Sequence, residues 1–183
     1  MAVVVGFSLG CGLCACGNGP HPLIPVAHLP TPKPAHPNAA QLTIWLTGYS
    51  WQDNSPPGSS TAGEPLRHRP GSGQGSYDDP ITVAVPGDPD DVDWATGTRF
   101  YLPTVKRYVI VEDTGASDGP DDVDTHLDMW IDGQDATATD IDNCESQLTN
   151  EEAPAVLDPP PDLPVILGPI YTNHTCNIPT TTN

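Results

Sequence analysis

Three aspartates in this chain lie in or at the end of segments rich in strand-forming residues, and two of them, Asp128 and Asp53, stand beside aromatic or imidazole side chains. Asp128 lies within H-L-D-M-W-I, residues 126–131. Asp113 stands at the end of a strand-like run, in V-I-V-E-D-T-G, residues 109–115, and Asp53 closes T-G-Y-S-W-Q-D, residues 47–53. Carboxyl groups beside aromatic platforms suit glycosidic bond cleavage. One protonated carboxyl donates to the leaving oxygen, and a second carboxylate activates water, attacks directly or stabilises an oxocarbenium-like transition state. Burial beside an aromatic face raises a carboxyl pKa toward the range useful for a general acid. Asp128 is therefore the expected general acid, Asp113 the group that positions substrate or stabilises charge, and Asp53 a candidate second carboxylate. Tyr49, Trp51, Tyr101, His126 and Trp130 are the expected substrate-binding side chains, because aromatic faces pack on sugar rings.

The elements that must position these residues read as short strands. Residues 41–50 are β-branched and aromatic; if they stay extended through Asp53, then Tyr49, Trp51 and Asp53 share a face. Residues 54–76 form a Ser/Gly/Pro loop. Residues 81–85, 97–102 and 107–112 are further strands. Residues 126–131 alternate, which places Leu127, Met129 and Ile131 in the core and His126, Asp128 and Trp130 outward. Residues 144–149 begin a short helix. Five or six short strands with no helix between them imply a small barrel or sandwich over residues 41–149.

Composition limits the function classes. The chain has 183 residues, 24 of them acidic and 6 basic, for a net charge of −18. Such a chain repels phosphate backbones and anionic membranes, which excludes a nucleic-acid partner. With 17 Gly and 23 Pro, much of it lies outside regular elements. Residues 1–16 are apolar and resemble a secretion signal, with a lipobox-like Leu13-Cys14-Ala15-Cys16 that would make Cys16 a lipid anchor. Residues 17–40 form a proline-rich tether and residues 150–183 a proline-rich tail. Cys144 and Cys176 are the cysteines outside the signal region; one disulfide between them would staple the tail, contributing on the order of 3 kcal/mol. The expectation is a secreted or extracytoplasmic monomer. Asn173-His174-Thr175 is a glycosylation sequon. Pro-Asp-Asp-Val-Asp occurs at 89–93 and 120–124; neither copy has EF-hand spacing, but such oxygen clusters admit calcium. No other metal or cofactor is expected.

G-T-R-F-Y-L-P-T-V-K-R-Y-V-I-V-E-D-T-G-A, residues 97–116, followed by H-L-D-M-W-I, resembles the three-aspartate (3D) domain of bacterial cell-wall proteins and of the membrane-bound lytic transglycosylase A group. The resemblance implies a six-stranded double-psi β-barrel, with long proline-rich extensions here. Asp113 matches the aspartate of E-D-T-G, and Asp128 that of the following strand. The T-G-Y-S-W-Q-D segment is similar to the opening of barwin-like endoglucanases, which matches Asp53 to a catalytic acid. The rare lipoprotein A proteins and the expansins share the barrel. The family's first aspartate is absent, since its strand here ends Ala84-Val85-Pro86-Gly87. The resemblance implies cleavage of peptidoglycan or another β-1,4-linked polysaccharide. The alternatives are a non-catalytic, expansin-like polysaccharide-binding module and a structural calcium-binding surface protein.

Overall fold

A computed structural model of the chain describes residues 39–68, 71–88 and 90–179. The signal or lipobox segment and all but the end of the tether lie outside these residues. The described chain is mainly β: β1 (Ala40–Tyr49), β2 (Ile81–Asp88), β3 (Asp91–Val92), β4 (Arg99–Leu102), β5 (Arg107–Ala116), β6 (Thr125–Trp130), α1 (Ala138–Leu148), β7 (Asn150–Leu157), β8 (Tyr171–Thr172) and β9 (Thr175–Cys176). The order β2-β5-β4-β7-β1-β6 closes on itself through β2–β6 pairing, giving a six-stranded barrel with β3 on its rim. Two pairings are parallel, β1 with β6 and β2 with β5.

Period-two alternation builds the interior. Ile44 and Leu46 from β1, Val83 and Val85 from β2, and Leu127 and Met129 from β6 are almost wholly buried. Each removes roughly 1.5–3 kcal/mol worth of apolar surface from water. The five strands read from sequence are present within a few residues of their expected limits. The sixth is β7, which falls in the stretch assigned to the proline-rich tail. Its sequence, N-E-E-A-P-A-V-L, hides the strand because three polar residues and Pro154 stand in it. Pro154 lacks an N–H, yet it is tolerated because β7 at that point pairs with β1 alone; β4 joins only at Val156 and Leu157.

The helix is longer than expected and starts earlier. Thr137 caps it, its hydroxyl oxygen accepting from the Asp140 N–H. Ile141, Cys144 and Leu148 form its buried stripe. The expected Cys144–Cys176 disulfide is present, with Cα atoms 5.5 Å apart and a sequence separation of 32. Closing that loop is worth about 3–4 kcal/mol in the chain-entropy account.

The segment after β7 is held by side chains from the barrel. The Tyr101 hydroxyl donates to Pro164 O at 2.6 Å, the Tyr108 hydroxyl donates to Pro160 O at 2.5 Å, and Arg107 Nε donates to Gly168 O at 3.1 Å. Proline removes donors but leaves carbonyls, and these side chains supply the missing partners.

Candidate functional site

The site lies on the outer face of the barrel, where β5, β2 and β6 run side by side. Val83 pairs with Met129 toward the core, so the next register position, Ala84 opposite Asp128, faces outward. On the other side Ala84 stands opposite Asp113. Asp113, Ala84 and Asp128 thus form one row across three strands, and Thr47 of β1 continues it beside Asp128. Two strand spacings place the Asp113 and Asp128 backbones about 10 Å apart. The small side chain between them leaves a gap. The register shift in β5 between Val111 and Asp113 turns Glu112 away and aims Asp113 at this face.

The result is a cleft of about 210 Å³ whose lining includes Tyr49, Asp53, Thr61, Ala84, Asp113 and Asp128. The three sequence-predicted acids, drawn from three separate segments, converge on it. Asp53 reaches it differently from expectation. β1 ends at Tyr49, and residues 51–53 turn, so Asp53 does not continue a strand face. Its Oδ1 accepts from the Ser50 N–H and hydroxyl, both at 2.7 Å, which closes the turn and leaves Oδ2 without a hydrogen bond among the described residues.

The environments of the acids differ. Asp113 is fully engaged: Oδ1 accepts from the N–H groups of Gly63 at 2.8 Å and Thr114 at 3.0 Å, and Oδ2 accepts from the Tyr49 hydroxyl at 2.9 Å. Burial, then the neighbouring Asp113 charge, pushes the Tyr49 hydroxyl well above its ordinary pKa, so it stays a donor. Asp128 has one close partner, the Thr47 hydroxyl at 2.5 Å. Burial pushes its carboxyl up to about 6; the Thr47 hydrogen bond opposes the shift, and the charges of Asp53 and Asp113 reinforce it.

His126 joins Asp128 through the same hydroxyl. Its Nδ1 faces Ser117 O at 2.7 Å, an acceptor only, so Nδ1 carries a hydrogen; Nε2 stands 2.7 Å from Thr47 Oγ1. Burial lowers the His126 pKa and favours the neutral ring. With Asp128 protonated, its proton is donated to Thr47, whose own hydroxyl proton goes to Nε2. With Asp128 ionised, the hydroxyl turns to donate to the carboxylate.

The expected aromatic platform is not built. Trp130 is buried beneath the covering loop, where a Cβ on Gly71 would stand 2.8 Å from the indole, and packs edge-on against Tyr49 with centroids 5.2 Å apart. Tyr101 holds the tail. Trp51 is half-buried against the core, outside the cleft lining. His126 stacks on Trp45 at 4.1 Å and touches the site only through Thr47. Alternation put His126 and Trp130 outward, but both are buried, and Trp51 stands in a turn rather than on a strand face. Tyr49 alone among the five lines the cleft.

Sequence reasoning passed over two acids. Glu112, fully buried, accepts from the Leu66 and Arg67 N–H groups, from His68 Nδ1 at 2.7 Å and from the Thr82 hydroxyl at 3.1 Å. It pins the loop that covers the cleft, and its place in E-D-T-G was the available signal. Glu145 of α1 borders Ser50, Asp53 and Asp128; burial, then the Asp53 charge, pushes it up to about 7, and its buried Oε1 has no hydrogen bond among the described residues. No sequence pattern linked it to the site. Among the described residues no three His, Cys, Asp or Glu side chains are arranged to hold a metal ion.

The sequence model of the DDB_G0273701 N-terminal domain family matches residues 41–177. The uncharacterized protein DDB_G0273701/DDB_G0273221 of Dictyostelium discoideum is 33% identical over 124 residues, covering 65% of this chain and 52% of that protein. The chain thus spans about half the length of the curated relative it matches. No solved structure matches the chain. The matched region runs from β1 through β9 and contains the whole barrel, its cleft and its disulfide. The chain belongs to the DDB_G0273701 N-terminal domain family.

Proposed function

We propose that this protein is an exported enzyme that cleaves a β-1,4-linked glycan, peptidoglycan or another such polysaccharide, by carboxyl acid catalysis on a double-psi barrel. The observation that carries the reading is the convergence of Asp53, Asp113 and Asp128 on one cleft, where burial pushes the Asp128 carboxyl up to about 6. The parallel β1–β6 and β2–β5 pairings within a closed six-stranded barrel support the barrel assignment.

The roles follow from the hydrogen bonds. Asp128 donates its proton to the glycosidic oxygen, and the His126–Thr47 chain reorganises to stabilise the carboxylate left behind. Asp53, with a free Oδ2, acts as the second carboxylate toward water or the developing positive charge. Asp113 has both oxygens engaged and serves as a positioning residue, tying Tyr49 and the Gly63 loop to the cleft wall. On peptidoglycan, attack by the substrate's own muramic hydroxyl would replace water, and Asp128 alone would suffice.

The test is digestion of peptidoglycan and a soluble β-1,4-glucan by the full chain, with Asp128→Asn and Asp53→Asn alongside. Products are resolved by mass. Loss of products in Asp128→Asn is expected with either substrate. Anhydro ends that persist in Asp53→Asn identify transglycosylation; water-added reducing ends lost in Asp53→Asn identify hydrolysis. Binding to both polymers without any product refutes the enzyme reading and favours an expansin-like module.

A further inference from the structure

The β8–β9 hairpin contributes no residue to the lining of the Asp128 cleft. Tyr171 and Thr172 pair with Cys176 and Thr175, leaving Asn173 and His174 as a two-residue loop with φ of 49° and 57°. Both sides are fixed. The Tyr171 N–H donates to Ile131 O at 3.0 Å, and Cys176 is bonded to Cys144 of α1. The residues from Thr172 to Thr175 are exposed. The Asn173 backbone carbonyl accepts from the Thr175 hydroxyl at 3.3 Å, while its side-chain amide makes no hydrogen bond among the described residues.

Asparagine tolerates positive φ, which alone would account for its place in such a turn. The turn gives no reason for an exposed amide or for its presentation on a base stapled by a disulfide, and the threonine two residues later completes the Asn-x-Thr sequon. Disulfides form in the compartments where asparagine-linked sugars are attached.

We propose that Asn173 is a glycosylation site, modified through its side-chain amide by an oligosaccharide delivered from a lipid diphosphate. The Nδ2–C1 bond to the reducing-end sugar forms as the C1–O bond to the lipid diphosphate breaks. The diphosphate leaves with the electron pair, and one Nδ2 proton passes to the transferase base. The attached sugar stands over a separate polar cleft of about 280 Å³, lined by Asn173, His174, Asp132, Gln134 and Asp135. That cleft shares no lining residue with the Asp128 cleft. The inference rests on export, not on glycan cleavage.

The full chain, expressed in a eukaryotic host with its own N-terminus, is digested with peptide N-glycosidase and mapped by mass. The expected result is a secreted protein that loses mass on digestion, with residue 173 recovered as aspartate. Thr175→Ser keeps the modification. Thr175→Ala, which preserves Asn173 in the turn, loses it while keeping the disulfide and the cleavage activity. A secreted chain with unmodified Asn173 overturns the proposal, as does a chain retained unmodified in the cytosol. Neither result bears on product release by the purified protein, so the cleavage reading fails or survives separately.

Discussion

Asp128→Asn should make the protein more stable and less active, and the stability gain should depend on pH. Burial raises the Asp128 carboxyl from 3.8 to about 6. At about 1.4 kcal/mol per pH unit, holding that carboxylate in its folded environment at neutral pH costs about 3 kcal/mol at most. Between these two values the folded chain binds more protons than the unfolded one, so this site makes stability fall as pH rises through the window and leaves it constant above. The cost is about 1 kcal/mol at pH 4.5 and the full amount at pH 7.5. Asparagine keeps the shape and one oxygen for the Thr47 hydroxyl, and it carries no charge against Asp53 and Asp113. Urea unfolding followed by tryptophan fluorescence at the two pH values measures the difference directly. Other carboxyls titrate in both proteins and largely cancel. The expected outcome is a gain of the variant over the parent that is larger at pH 7.5 by about 2 kcal/mol. A variant offset that is the same at both pH values, or a loss at pH 7.5, would refute the reasoning.

Glu112→Ala should destabilise by about 3–5 kcal/mol in urea unfolding, because it strands His68 and two backbone donors; amides of the 64–68 segment should lose exchange protection first. Ala84→Leu should abolish product release, since Ala84 lies between the two acids and lines the cleft; unchanged turnover in the folded variant would place the reaction elsewhere. Glu145→Gln should raise the melting temperature at pH 8 relative to pH 5, because burial and Asp53 push Glu145 up to about 7 and its ionisation opposes folding above that point. The gain should be smaller than for Asp128, since Glu145 is the less deeply buried of the two and water screens its charge more.

Much of the barrel was legible because period-two alternation survives wherever a strand has one face on the core. Leu127, Met129 and Ile131 are inside, as their spacing requires. β7 was not legible, because its outer positions are acidic and its proline sits where no second strand competes for the missing N–H. The acids were legible as types in strand-like context. Their convergence was not, since it depends on register: β2 must place Ala84 between β5 and β6, and a shift at Glu112 must re-aim Asp113. The aromatic platform failed for a related reason. Alternation states which side of a strand a ring occupies, but not what later segments lay over it. Trp130 lies under the Gly71 loop, and Tyr101 is engaged by Pro164, 63 residues onward.

The central claim is that a protonated Asp128 drives cleavage. The most direct measurement follows the Asp128 side-chain carboxyl by carbon NMR across pH 4–8 in the full chain and records kcat for glycan cleavage on the same axis. The account requires both curves to turn at about pH 6, with kcat falling on the alkaline side as the proton is lost. An Asp128 carboxyl that titrates near 3.8, or a kcat that does not follow it, would contradict the account.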